Sequence, residues 1–279
     1  MYSTGKILSI EGAEKKPFQF NLSLANREKS PLLIFLHGFK GFKDWGQFPL
    51  LDQFFVSEGI SFIRMNFSHN GVTAESSTEF SNLELFGKNK ISHELTDIQS
   101  LMDFVSKNHG DNIDISRICL MGHSRGGASA IVYCSLNNNI SKLITLAAVS
   151  NLERMWNAFD QEKWRKENKV YTYNSRTKQN MPLNFSLYED YQFNENIYNI
   201  CKAASKITVP WLAIHGEHDT SVPISDLKNL KLSQKNLQEE IIAETDHTFG
   251  GFHPWEENFL PLKTLECMKK VSEFILKNP

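Results

Sequence analysis

Gly122-His123-Ser124-Arg125-Gly126 sits between an apolar run at 118–121 and the helix-like stretch 128–133. A serine between two glycines, on a sharp turn from strand to helix, is held out where its hydroxyl can react; bulkier neighbours would crowd the turn. That hydroxyl is a poor nucleophile until an imidazole takes its proton, and the imidazole needs a carboxylate to fix its tautomer. Both partners are expected downstream, each in a loop that leaves a strand. Asp219 follows His215-Gly216-Glu217-His218, and His247 lies in Glu244-Thr245-Asp246-His247-Thr248-Phe249. The spacing thus assigns Ser124 as nucleophile, Asp219 as acid and His247 as base, with Asp246 and Glu217 as fallback acids and His253 as the spare base. The chemistry implied is acyl transfer.

An acyl transfer also develops negative charge on the carbonyl oxygen. The backbone N–H of Arg125, next to the nucleophile, is one expected donor. The turn Leu36-His37-Gly38-Phe39-Lys40-Gly41 supplies the second, with Phe39 N–H as the donor. The Arg125 side chain has two readings: it reaches a cap or an acidic substrate group, or it forms a salt bridge that orders the turn. His37 and His123 read as local hydrogen-bonding residues. His69, His93, His109, His215 and His218 read as loop or helix-surface residues.

These groups require a scaffold of strands that end together. Residues 31–36 are nearly all apolar, as in a central strand covered on both faces. Residues 18–22 alternate with period two and read as an antiparallel edge strand. A helix near 47–57, a strand at 60–65, a helix at 92–108, the strand at 117–121, its helix, and a strand at 142–149 follow. After residue 200 come strands at 209–215 and 240–244, a helix near 225–236 between them, and a closing helix at 261–277. The closing helix presents Leu262, Leu265, Met268, Val271, Phe274 and Ile275 as its apolar face. The pattern predicts an α/β fold built on a doubly wound, mostly parallel sheet.

Residues 151–200 break the rhythm with ten aromatic and fourteen charged residues. That length suits two or three short helices. The segment reads as an aromatic-rich inserted cap over the site, between core segments 1–150 and 201–279, and its rings either line the substrate or merely seal the insert to the core.

The bulk properties narrow the classes. A net charge of −2 with 22% charged residues gives no polyanion-binding surface, so no nucleic acid is expected. The pairs Lys15-Lys16 and Lys269-Lys270 read as solvated faces. No apolar stretch is long enough for a membrane span, and the first residues lack a secretory pattern, which favours the cytoplasm. The cysteines Cys119, Cys134, Cys201 and Cys267 form no close pair and read as structural thiols.

His37-Gly38-Phe39, Gly122-His123-Ser124-Arg125-Gly126-Gly127, His215-Gly216 with Asp219, and Asp246-His247 together resemble the α/β-hydrolase superfamily. Within it the chain looks like bacterial carboxylesterases related to dienelactone hydrolase and the cinnamoyl/feruloyl esterases. The resemblance covers about residues 15–277. It implies the α/β-hydrolase fold, the roles already given to Ser124, Asp219 and His247, and oxyanion donation from Phe39 and Arg125. Two departures stand out. Arg125 replaces the usual glutamine or methionine, and serine at 124 replaces the cysteine of true dienelactone hydrolases. Exopeptidases of the prolyl-oligopeptidase type share the G-x-S-x-G-G turn but usually carry a large N-terminal propeller, for which residues 1–30 leave no room. The expected activity is hydrolysis of a small-molecule carboxylic ester through an acyl-enzyme, with no cofactor and no metal. Peptide or amide hydrolysis and thioester hydrolysis are the alternatives, and a non-catalytic binding module is the distant one. A homo-oligomer is left open.

Overall fold

A computed structural model describes residues 5–277. Its centre is an eight-stranded sheet. Along the chain come β1 (Lys6–Glu11), β2 (Pro17–Ser23), β3 (Ser30–Leu36), α1 (Leu50–Ser57), β4 (Ser61–Met65), α2 (Leu83–Gly87) and α3 (Ile91–Asn108). Then follow β5 (Ile113–His123), α4 (Arg125–Leu136), β6 (Lys142–Leu146), α5 (Gln161–Glu167), β7 (Lys169–Asn174), β8 (Gln179–Asn184) and α6 (Ser186–Phe193). The chain closes with α7 (Glu195–Tyr198), α8 (Ile200–Ala204), β9 (Trp211–Gly216), α9 (Ser225–Ser233), β10 (Gln238–Ile242) and α10 (Leu262–Leu276).

The order across the large sheet is β1-β2-β4-β3-β5-β6-β9-β10. The strands from β4 to β10 run parallel, while β2 lies antiparallel to both β1 and β4. Every residue of β3, β4, β6 and β9 is buried, which is why these strands read as almost unbroken apolar runs. The one charged side chain inside β4, Arg64, is kept there by Asp52 of α1, whose carboxylate accepts its Nε–H at 2.8 Å. From β3 the chain first steps one way to β4, then returns to the other side with β5. The gap between the carboxyl ends of β3 and β5 is therefore a topological switch point, where such sheets bind ligands.

Three expectations need correction. The edge strand on this side of the sheet is β1, not β2; one face of β1 is exposed and the other only partly buried, so its signal is weak. Leu262 is 82% exposed and does not belong to the apolar face of α10, which is Cys267, Met268, Val271 and Ile275 together with the polar Thr264 and Ser272. Between residues 151 and 200 the chain forms helices and also an antiparallel hairpin, β7–β8, that pairs with no strand of the large sheet. Trp156, Trp164, Phe185, Tyr191 and Tyr198 are buried, and edge-to-face contacts such as Trp164 on Phe185 at 5.5 Å knit the insert together. All four cysteines are unpaired; Cys119 and Cys267 are buried, Cys134 and Cys201 half-buried. No helix among the described residues is long and apolar enough to cross a membrane.

Candidate active site

Ser124 leaves β5 with φ 56° and ψ −120°, a left-handed backbone setting that turns its side chain away from the sheet. Hydrogen bonds hold the setting: Ser124 N–H donates to Leu146 O at 2.8 Å, and Ser124 O accepts from Gly127 N–H at 3.0 Å. The flanking glycines are required by space. A Cβ on Gly122 would sit 2.2 Å from Gly126 O, and one on Gly126 would sit 2.4 Å from His37 O. The strained turn is thus wedged between β5, α4 and the loop after β3.

Asp219 and His247, in the loops after β9 and β10, meet directly. His247 Nδ1–H donates to Asp219 Oδ2 at 2.7 Å. The other carboxylate oxygen accepts the N–H groups of Ser221 and Val222, both at 2.8 Å. Burial pushes the Asp219 carboxyl up, but the His247 hydrogen bond and charge, with Val222 N–H and His215, outweigh it and leave the group below its ordinary value. Asp219 is therefore an anion fixed on one nitrogen of His247. His247 and Ser124 line the same open-mouthed pocket, whose free space is ≈ 350 Å³ with the mouth included. The Ser124 hydroxyl makes no side-chain hydrogen bond among the described residues.

The fallback residues are not part of this arrangement. Asp246 Oδ1 accepts from Thr248 N–H at 3.0 Å and Gly250 N–H at 3.1 Å, so it closes its own turn. Glu217 accepts from Glu244 N–H at 3.0 Å on the surface. His253 Nδ1 accepts from Gly46 N–H at 2.9 Å, and its ring packs on Phe42 and Trp45.

The loop after β3 approaches the serine closely: a Cβ on Gly38 would lie 2.9 Å from Ser124 Cβ. Phe39 N–H has no hydrogen-bond partner among the described residues, and Arg125 N–H, at the first position of α4, has none within its helix. Both expected donors therefore stand beside Ser124 with their hydrogens unclaimed. Of the two readings for the Arg125 side chain, the structure has the salt bridge. Its Nη2 donates to Glu94 Oε1 of α3 at 2.6 Å, with both side chains buried. Its guanidinium also lies 5.6 Å from the centre of the Phe39 ring.

His37 and His123 brace the loops as expected. His37 Nδ1–H donates to Gly38 O at 2.9 Å, and His123 Nε2–H donates to the backbone oxygen of His247 at 2.9 Å. His69, His93 and His215 are buried, contrary to the surface reading. His215 Nε2–H donates to Val222 O at 2.8 Å and so shapes the turn that holds Asp219. Burial holds His37 down at about 4 and His123 at about 3, against an ordinary 6.5, so both are neutral in the fold. The unfolded chain then binds more protons than the folded one below pH 6.5, and stability falls as the pH drops toward those values. Asp97, raised by burial to about 6, opposes this with a single proton between its ordinary value and pH 6. Urea unfolding followed from pH 8 to pH 5 should show the midpoint falling below about pH 6.5; a flat profile would contradict the neutral histidines.

The sequence did not mark the residues that complete the pocket. Trp45 and Phe48, from the segment before α1, form its aromatic wall with Phe39. None of the ten aromatic side chains of 151–200 lines it; the insert contributes Arg176, from the tip of the β7–β8 hairpin. Lys40 ties the loop after β3 to that hairpin, its Nζ donating to Thr172 Oγ1 at 3.0 Å and Tyr173 O at 2.8 Å. Lys40 lies within the turn singled out for Phe39, whereas Arg176 lies in no recognisable motif.

The model of the prolyl oligopeptidase family matches residues 53–254, which hold the Ser124 turn, Asp219 and His247. The chain belongs to the prolyl oligopeptidase family. It is thereby a serine-hydrolase-type member of the α/β-hydrolase superfamily. The sequence resemblance pointed to the carboxylesterase side of that superfamily and set the prolyl-oligopeptidase type aside; the family match reverses that exclusion. Solved structures show the same fold at low identity. Est1E from Butyrivibrio proteoclasticus is 20% identical, with 97% of each chain covered and a TM-score of 0.69. Its ferulic-acid-bound form is also 20% identical, with 96% of this chain and 98% of that one covered and a TM-score of 0.71. The Pyrococcus furiosus esterase Pf2001 is 16% identical, with 97% of this chain and 91% of that one covered and a TM-score of 0.62. No curated protein matches the chain.

Proposed function

We propose that this prolyl oligopeptidase family member is a carboxylesterase for small to medium esters, with Ser124, His247 and Asp219 as nucleophile, base and acid. The observation that carries the reading is the 2.7 Å bond from His247 to a buried Asp219, behind a pocket shared by His247 and Ser124. Ser124 Oγ attacks the ester carbonyl carbon while His247 Nε2 takes its proton, and Asp219 holds the imidazolium by its Nδ1–H. The N–H groups of Phe39 and Arg125 receive the oxyanion, each contributing on the order of 3 kcal/mol. Collapse of the intermediate expels the alcohol, which leaves with the proton from Nε2. Water then attacks the acyl-enzyme by the same steps and frees the acid.

The wall of Phe39, Trp45 and Phe48 favours an aromatic or apolar group beside the ester, in keeping with the ferulic acid bound by the Est1E relative. Residues 151–200 act as a cap between the core segments 1–150 and 201–279, with the β7–β8 hairpin as the part nearest substrate. Peptide or amide hydrolysis is the second reading, favoured by the family match.

The test combines p-nitrophenyl esters from acetate to decanoate with aminoacyl p-nitroanilides and acyl thioesters. A fluorophosphonate label is read by mass spectrometry on Ser124. Labelling of Ser124 and ester turnover with a chain-length optimum are expected. Turnover of the anilides alone replaces the ester reading with the peptidase one.

A further inference from the structure

The mouth of the pocket is built from two cations and no anion. Arg176 is solvent-exposed at the hairpin tip, lies 5.1 Å from the centre of the Trp45 ring, and lines the same pocket as Ser124 and His247. Its guanidinium makes no hydrogen bond and no salt bridge to any described residue. Its backbone N–H donates to Asn174 Oδ1 at 3.2 Å. Lys40 lines the pocket as well, and its ammonium is spent on two neutral acceptors of the hairpin. Burial, and next the positive charge of Arg176, push Lys40 down to about 8. The two cations thus destabilise each other, and no carboxylate among the described residues relieves them. The other acids near the site are already engaged: Asp219 with His247, Glu94 with Arg125, and Asp44 with Lys43 and Arg64.

A guanidinium held over an indole presents a free planar fork of donors that matches a carboxylate in two-point geometry. We propose that Arg176, assisted by Lys40, is an anion-binding subsite that selects ester substrates carrying a carboxylate beside the scissile bond. The proposal rests on the ester reading of the Ser124 pocket and deepens it. It also moves acid recognition from Arg125, where the sequence allowed it, to a residue contributed by the insert. The substrate class that results is an acidic ester with an aromatic or apolar body lying along Trp45, Phe39 and Phe48.

Two matched pairs test it, since the charge can sit on either side of the ester. 4-Acetoxybenzoate is compared with methyl 4-acetoxybenzoate, and monomethyl terephthalate with dimethyl terephthalate. The readout is the ratio of kcat/KM for the charged over the neutral member. In the wild type, one pair should favour the charged member by about tenfold, the effect of a charge-assisted hydrogen bond. R176Q should bring that ratio close to one, R176K should keep part of it, and K40Q should reduce it less than R176Q. Raising the ionic strength to about 0.5 M should shrink the wild-type ratio. A general disturbance of the pocket would lower both members together and leave the ratio intact.

Binding of the same four compounds to Ser124→Ala by calorimetry gives the ratio without turnover. If no ester is hydrolysed yet the charged compounds bind more tightly and lose that advantage in the double variant S124A/R176Q, the subsite stands and the ester reading falls. If neutral esters are hydrolysed and no pair shows a charge preference that depends on Arg176, in either assay, the subsite falls and the ester reading stands.

Discussion

Replacing Ser124 by alanine is expected to lower ester turnover by about 10⁶-fold while leaving the stability of the fold within about 0.5 kcal/mol. The two halves of that result have separate causes. The hydroxyl makes no side-chain hydrogen bond among the described residues, so its removal breaks none there. The strained backbone at residue 124 is held by Leu146 O and Gly127 N–H, which alanine leaves in place. Activity has no such substitute, because without Oγ there is no acyl-enzyme. Asp219→Asn should cost about 10⁴-fold in kcat, since an amide can donate toward Nδ1 and favour the wrong tautomer of His247. Steady-state kinetics on one p-nitrophenyl ester, with urea unfolding of each variant, checks both. If Ser124→Ala kept turnover within tenfold of the wild type, Ser124 would not be the nucleophile.

Arg125→Met is expected to destabilise the protein by about 3–5 kcal/mol, because it strands the buried charge of Glu94. Glu94 also accepts from Ser129 Oγ at 2.5 Å and Asn89 Nδ2 at 2.8 Å, so its carboxylate is fixed in place and cannot turn toward water. The double variant Glu94→Leu/Arg125→Met should recover most of the loss, as an apolar pair often replaces a buried ion pair without penalty. Activity should separate from stability here. The Arg125 guanidinium lies against the Phe39 ring, so the salt bridge braces both residues whose N–H groups are assigned to the oxyanion. The stable double variant should therefore still show lower kcat, while an alanine at the exposed Lys88–Glu84 pair changes neither. Urea denaturation measures the first effect and kcat the second. Recovery of both would mean that the pair serves stability alone.

Much of this was legible in the sequence for a definite reason. Strands β3, β4, β6 and β9 are buried on every residue, so composition alone marks them, and the loops carrying Ser124, Asp219 and His247 follow β5, β9 and β10 of the same parallel sheet. Weakly buried elements left weak traces. β1 alternates only partly between faces, and β8 contains Pro182, which argues against a strand unless the strand is short and at an edge. His69 and His93 lie ring against ring and face Glu14 from another segment, which no local pattern marks, and the same holds for the choice of Glu94 by Arg125. Trp45 and Arg176 carry no local pattern at all; the fold alone brings them together.

The β7–β8 hairpin carries one further consequence. Its ladder is closed on itself and borrows no hydrogen bonds from the eight-stranded sheet. Exchange of side chains at its tip, residues 175–178, therefore disturbs no strand pairing and little buried surface. The proposed anion subsite can thus be rewritten at this tip without spending the margin that keeps the chain folded, so relatives sharing the sheet should differ in charge preference through residues 175–178.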